Sequence, residues 1–219
     1  MTNKPGLIAP SIASADLGKL SAEIQNLHEA GVDLIHVDIM DGVFVPNITF
    51  GPWIIDLIRK VSDLPIDCHL MVSRPADWIL SVANAGADTI TIHVESTPHI
   101  HRHIESIKKL GKKAGVSFNP GNPVKLIEPC LDWVDIVQVM GVDPGFSGQD
   151  FIENTSEKIQ SLYSLRQSRD YLIKVDGGIK IENIERLREA GADVFVLGSD
   201  IFSRPDKKSL LRDLKNKLR

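Results

Sequence analysis

The chain lacks the features that point most directly to secretion, membranes or nucleic acid. Its 219 residues include two cysteines, Cys68 and Cys130, and these fit neither zinc-finger nor redox spacing. Cys68 falls on the outward face of an apolar strand and reads as a small buried hydrophobe. There is no basic excess: 25 Lys and Arg against 29 Asp and Glu give a net charge of −4. No basic stripe favours nucleic acid, and no polybasic cluster favours a membrane surface. Apolar runs long enough to span a bilayer are missing, and Met1–Pro5 has no signal-peptide-like apolar segment. Linkers and low-complexity segments are missing too. The expectation is a soluble, reduced, cytoplasmic protein with one domain over residues 1–219.

One phrase recurs. Glu29-Ala30-Gly31-Val32-Asp33 is echoed by Asn84-Ala85-Gly86-Ala87-Asp88 and by Glu189-Ala190-Gly191-Ala192-Asp193. Each follows a helical pattern and precedes a β-branched run, so each reads as a helix-to-strand connector with a left-handed glycine. The glycines are 55 (86 − 31) and 105 (191 − 86) residues apart. Two and four βα units would fill those intervals at about 27 residues each, which predicts some eight units and a (β/α)8 TIM barrel of the α/β class. Strands are expected near Leu7–Pro10, Leu34–Met40, Ile66–Met71, Thr89–His93, Ala114–Phe118, Ile136–Met140, Tyr171–Asp176 and Val194–Leu197. The helices expected between them include Pro123–Pro129, Ile152–Gln167 and Pro205–Leu218. An open doubly wound sheet is the alternative, but Leu7–Ser14 lacks its glycine fingerprint.

The polar residues concentrate at strand ends. In Leu34–Met40, alternation puts His36, Asp38 and Met40 on one face. Pro65–Met71 repeats the design with Asp67, His69 and Met71, and Tyr171–Gly178 brings Asp176 to a third strand end. Imidazoles and carboxylates inside apolar strands are costly to bury without partners. Two His and two Asp over three strand ends make a candidate ligand set for a divalent metal, where satisfied polar residues at a barrel mouth would be the plainer account.

Other features gather at the same end. Gly177-Gly178 and Gly198-Ser199 follow the last two strands, a position that suits a phosphate group. The loop Gly141–Asp150, containing Gly145, Phe146, Ser147 and Gly148, is glycine-rich and reads as a closing lid. Met40, Met71 and Met140 would form an apolar sleeve around the site. The run His99–His103 reads as a solvated helix start, and His93 receives no assignment.

Five motifs taken together resemble the ribulose-phosphate 3-epimerase family. They are Ala9–Asp16, His36–Gly42 with Phe44–Asn47, Asp67–Val72, Asp143–Phe151 and Val175–Gly178. The resemblance implies a (β/α)8 barrel that interconverts D-ribulose 5-phosphate and D-xylulose 5-phosphate in the pentose phosphate pathway. It implies one divalent metal, Zn2+ or Fe2+ first and Mn2+ or Co2+ next, held by His36, Asp38, His69 and Asp176. Asp38 and Asp176 would also be the acid/base pair. Substrate contacts would come from Ser11, His69 and Asp176, from Gly145 to Gly148, and from Gly177, Gly178, Gly198 and Ser199. The family often carries Thr or Ser where Gly141 stands and Gly where Ser147 stands, and both departures fall in the expected lid.

Elementary chemistry leads the same way. Epimerisation beside a carbonyl removes a proton from one face of carbon 3 and returns one to the other, so two acid/base groups are needed. The intermediate is a cis-enediolate, whose charge a Lewis acid would stabilise. No organic cofactor is needed. The expected partners are a small phosphosugar and further copies of the chain in a dimer or hexamer. A related family acting on allulose 6-phosphate shares most of these motifs. A metal-dependent hydrolase, another phosphosugar isomerase and a non-catalytic phosphosugar-binding protein are the rival functions.

Overall fold

The computed structural model describes residues 5–219, so Met1–Lys4, part of the stretch read as lacking an apolar leader, lies outside it. Eight strands form: β1 (Leu7–Pro10), β2 (Ile35–Met40), β3 (Ile66–Met71), β4 (Thr89–His93), β5 (Lys113–Phe118), β6 (Ile136–Met140), β7 (Leu172–Asp176) and β8 (Val194–Leu197). All neighbouring pairs are parallel, in the order β1-β8-β7-β6-β5-β4-β3-β2. A parallel bridge between Ser11 and His36 closes the ring from β1 to β2. The expected barrel is the observed one.

The outer layer contains α1 (Leu20–Glu29), α2 (Trp53–Arg59), α3 (Ala76–Ala85), α4 (Ile100–Lys109), α5 (Thr155–Arg166), α6 (Ile184–Ala190), α7 (Ser199–Phe202) and α8 (Lys207–Lys217). Their apolar stripes follow helical spacing, as with Leu20, Ile24 and Leu27 of α1. These stripes pack on the outward strand residues, among them Val37, Ile39, Cys68 and Leu70, all fully buried. One expected helix is corrected: Pro123–Pro129 forms two 3-10 turns, Val124–Leu126 and Glu128–Cys130. Pro129 has no N–H to give and disfavours α geometry at Glu128. The short α7 after β8 was not anticipated, and the strands and other helices fall where the pattern put them, with ends shifted by up to three residues.

The recurring Gly-x-Asp phrase has a structural cause. Gly31, Gly86 and Gly191 all have positive φ, which lets the chain leave its helix and enter the sheet at once. The aspartate that follows ties the new strand to the preceding one. Asp193 N donates to Ile173 O at 2.8 Å, and Asp193 Oδ2 accepts from Ile173 N at 2.9 Å. Asp33 does the same to Ile8 and Asp88 to Ile66. A fourth clamp, Asp135 on Ala114, lacks the preceding Ala-Gly and so escaped the sequence pattern. The clamps open β2, β4, β6 and β8, and each aspartate also meets a cation, as with Arg59 on Asp88 and Arg166 on Asp193.

Inside the ring the side chains form layers. Leu7, Ala9, Leu34, Leu172, Val194 and Val196 plug the N-terminal end of the barrel. Above them, charged and polar groups replace apolar ones, and Met40, Met71 and Val45 form an apolar rim at the mouth. The clamp account predicts that Asp193→Ala, which strands the buried Ile173 N–H, costs about 1–3 kcal/mol. Urea unfolding would show this as a lower midpoint at unchanged slope, and a loss below about 0.5 kcal/mol, the range of ordinary surface substitutions, would contradict it.

Candidate metal centre

Four ligand-type side chains meet inside the C-terminal mouth. One atom from each of His36, Asp38, His69 and Asp176 lies within 4.8 Å of the other three. His36 Nε2 is 3.2 Å from Asp38 Oδ1 and 3.5 Å from Asp176 Oδ2. His69 Nδ1 is 3.1 Å from Asp38 Oδ1 and 3.4 Å from Asp176 Oδ2. A tetrahedral ion with bonds of about 2.0–2.1 Å separates its ligand atoms by roughly 3.3 Å. The cluster therefore has the donor chemistry and the spacing for one divalent ion.

The surroundings hold these donors in place. His36 Nδ1 lies 2.7 Å from Asp67 Oδ2. Donating its proton there frees Nε2 as an acceptor facing the cluster. Asp67 is in turn held by Lys174 Nζ, 2.6 Å from Oδ1, and Lys174 also reaches Thr91 Oγ1 at 3.3 Å. Ser11 Oγ donates to Asp38 Oδ2 at 2.6 Å, and Gln138 Nε2 donates to Asp176 Oδ2 at 2.9 Å. Behind His69, its Nε2 faces His93 Nε2 at 2.8 Å, and His93 Nδ1 faces Glu95 Oε2 at 3.3 Å.

The electrostatics follow from this packing. Burial opposes charge on His36, but the carboxylates of Asp38 and Asp67 and hydrogen bonds to Asp176 and Asp38 outweigh it and raise its pKa well above the usual imidazole value. Burial likewise opposes ionisation of Asp67, yet Lys174 and His36 hold its carboxyl well below the ordinary range. Asp38 and Asp176 are lowered against burial mainly by His36, with His69 contributing through hydrogen bonds. His93 is pushed down to about 4 by burial. Without a metal, the cluster keeps a proton on His36 among ionised carboxylates.

The expected residues come together around one cavity. Asp38 and Asp176 reach it, whereas His36 and His69 are fully buried behind them, so His69 does not line the space assigned to substrate. Ser11 and all three methionines, Met40, Met71 and Met140, line it. So do Gly145, Phe146, Ser147 and Gly148 on one side and Gly177, Gly178, Gly198 and Ser199 on the other. Gly178 has φ +68°, and a Cβ there would fall 2.7 Å from Phe151 Cα. Gly141 is not in the body of the lid. It sits at the root of the loop, where its N donates to Asp176 O and a Cβ would meet Gly177 O at 2.3 Å. Ser147 is exposed in the loop itself. The loop is tied to the one after β2 by Asn47 Nδ2 donating to Gly145 O at 2.8 Å.

Sequence reasoning missed several contributors. Lys174 and Gln138 are polar residues on inward positions of apolar strands, the same signal that exposed Asp38, but neither was singled out. Ser14 lines the cavity beside Gly198, and its buried Oγ has no hydrogen-bond partner among the described residues. His99 and His103 join no such cluster among the described residues. No helix among the described residues is long and apolar enough to cross a membrane.

Comparison with known proteins agrees with this architecture. The Ribulose-phosphate 3 epimerase family profile matches residues 7–202. The ribulose-phosphate 3-epimerase of Bacillus subtilis is 44% identical over 211 residues, covering 95% of this chain and 97% of its own. That of Aquifex aeolicus is 46% identical over 212 residues, covering 96% of each. Among solved structures, orotidine 5'-phosphate decarboxylase from Pyrococcus horikoshii shares the fold at a TM-score of 0.72 with 15% identity, covering 97% of this chain and 99% of its own. A family match spanning the barrel, high identity along nearly the whole chain, and the buried His/Asp cluster all support one conclusion: the chain belongs to the ribulose-phosphate 3-epimerase family.

Proposed function

We propose that the protein is a metal-dependent 3-epimerase that interconverts D-ribulose 5-phosphate and D-xylulose 5-phosphate. The observation that carries this reading is a division within the cluster. Two of its four members, Asp38 and Asp176, reach the cavity, and they arrive from β2 and β7, three steps apart around the ring. Two carboxylates brought to one cavity from different strands suit a reaction that takes a proton from one face of a carbon and returns one to the other.

His36, Asp38, His69 and Asp176 would hold the ion, Zn2+ or Fe2+ suiting two imidazoles and two carboxylates. When bound, it supplies Lewis acidity that acidifies carbon 3 and stabilises negative charge on the substrate oxygens. The protein's own groups do the rest. One aspartate takes the carbon 3 proton, and the other, protonated, gives its own to the opposite face of the enediolate. Ser11 keeps Asp38 oriented through Oδ2, and Gln138 does the same for Asp176. The methionine sleeve excludes water from a carbanion-like species that water would otherwise reprotonate on either face.

At the far side, Gly177, Gly178, Gly198 and Ser199 would receive the phosphate, with Ser14 Oγ as a further donor. The Asp143–Asp150 segment would close over the sugar, braced internally by Gln149 Nε2 donating to Asp143 O and Phe146 O. The site takes a small molecule, and cytoplasmic location and assembly into a dimer or hexamer complete the reading.

Four outcomes are expected. In an assay offering ribulose 5-phosphate and allulose 6-phosphate side by side, turnover should favour the pentulose. In deuterated water, xylulose 5-phosphate should carry deuterium at carbon 3 and nowhere else; retention of the substrate's own hydrogen would remove the two-aspartate assignment. Asp38→Asn and Asp176→Asn should each lower turnover by about 10²–10⁴-fold or more, measured alongside metal content so that the two roles separate. Saturating phosphosugar should protect the Asp143–Asp150 segment from limited proteolysis, and unchanged cleavage would count against closure.

The charge on His36 gives a further expectation for the metal-free protein. A folded-state pKa of His36 raised above its unfolded value stabilises the fold fully below about pH 6.5 and loses that contribution as pH rises through the folded value. Chelator-treated protein should therefore weaken in urea as pH climbs above that point, and His36→Asn should abolish this part of the decline. A flat profile in the unsubstituted protein would contradict the assigned charge.

A further inference from the structure

His93 and Glu95 lie outside the four-residue cluster and do not line the cavity. His93 is fully buried at the end of β4, and Glu95 is in the turn that follows. We infer that Glu95 and His93 are positioning residues that select the tautomer of His69 and so prepare its Nδ1 to bind the metal. The inference rests on the four-residue metal site proposed above.

The argument is a count of hydrogens along one line. His69 Nε2 and His93 Nε2 are 2.8 Å apart, a distance at which exactly one hydrogen lies between them. Their rings are 20° from coplanar with centroids 5.0 Å apart, the arrangement of an in-line, edge-to-edge bond. Which nitrogen owns that hydrogen is decided at the other end. His93 Nδ1 is 3.3 Å from Glu95 Oε2, and an ionised carboxylate can only accept. His93 therefore carries its hydrogen on Nδ1 and offers a lone pair at Nε2. That lone pair accepts from His69, so His69 is protonated on Nε2 and bare on Nδ1. That tautomer presents a bare Nδ1 to Asp38 Oδ1 and Asp176 Oδ2 at 3.1 and 3.4 Å, an approach of acceptors that suits a shared cation, whereas in the metal-free protein a hydrogen on Nδ1 bonds to these oxygens instead.

Two further contacts fix the order. Glu95 Oε1 accepts from Asn119 N at 2.7 Å and from the Asn122 side-chain amide, so this end of the carboxylate is already pinned by two donors. Gln138 Nε2, which donates to the Asp176 carboxylate, lies beside the His69 ring at 3.0 Å from Nδ1 and 3.3 Å from Nε2, so it leaves the choice of tautomer to the His93 side. The Phe44 ring packs on His93 with centroids 4.8 Å apart and shields the line from water. His36 has a counterpart of different make, since Asp67 sets its tautomer directly. His69 is set through an intervening imidazole.

Glu95→Gln separates this inference from a packing role, because it keeps the shape and reverses the hydrogens. The two donors at Asn119 and Asn122 would claim the new amide oxygen. The amide nitrogen would then donate to His93 Nδ1, and the reversal would pass along the line to leave His69 protonated on Nδ1. His93→Gln is the control, since its oxygen can accept from His69 while its nitrogen donates to Glu95.

Co2+ affinity by chelator competition, the visible spectrum of the Co2+ site, and imidazole 15N shifts of the Zn2+-loaded protein are the readouts. Glu95→Gln should weaken Co2+ binding by about 10–100-fold while His93→Gln stays within about threefold of the unsubstituted protein. The 15N shifts of the unsubstituted protein should show His93 protonated at Nδ1 and bare at Nε2. Unchanged Co2+ affinity and spectrum in Glu95→Gln, or a His93 protonated at Nε2 and bare at Nδ1, would overturn the positioning role and leave the metal site standing. Failure of the unsubstituted protein to bind Co2+ or Zn2+ would overturn both.

Discussion

The contact on which the centre depends is the hydrogen bond from His36 to Asp67, with Lys174 on the far side of the carboxylate. All three groups are essentially excluded from solvent. A buried carboxylate, a buried ammonium and a buried imidazole are each costly alone, and each is acceptable only because the other two are present. Their geometry leaves His36 one free nitrogen, aimed up the barrel. The layers above inherit that direction: Asp38, His69 and Asp176 gather at it, and Ser11, Gln138 and His93 fix those in turn.

The barrel makes this affordable by dividing labour between its faces. Outward residues such as Val37, Ile39, Cys68 and Leu70 bury apolar surface against the helices, roughly 1.5–3 kcal/mol for each fully buried Val, Leu or Ile. Inward residues are then free to be polar, provided they satisfy one another. Aspartate clamps at the N-terminal end hold the strand register that brings β2, β3 and β7 together at the mouth. A slip of one residue in any of these strands would turn its His or Asp to the outer face.

Much of this was legible from alternation alone. His36, Asp38 and Met40 share a face because strand side chains alternate, and the same rule places His69, Met71 and Asp176. The repeated Ala-Gly-x-Asp phrase set the length of a βα unit and hence the number of units. What alternation cannot supply is partnership across the barrel. Lys174 meets Asp67, 107 residues away, and Gln138 meets His69, 69 residues away. No local pattern connects such pairs, so the sequence showed an inward Asp67 without its cation and a His93 without a role. The misread helix at Pro123–Pro129 failed for a local reason, a proline whose missing N–H outweighed the apolar spacing around it.

The central claim is that two imidazole nitrogens and two carboxylate oxygens hold one divalent ion, with the methionines as walls and not as ligands. Met40, Met71 and Met140 line the same cavity, so their sulfurs are the natural competitors. X-ray absorption at the zinc edge of the Zn2+-loaded protein distinguishes the two arrangements directly. The account predicts a nearest shell of nitrogen and oxygen at about 2.0–2.2 Å with histidine-type outer scattering, and a shell containing sulfur at about 2.3 Å would contradict it.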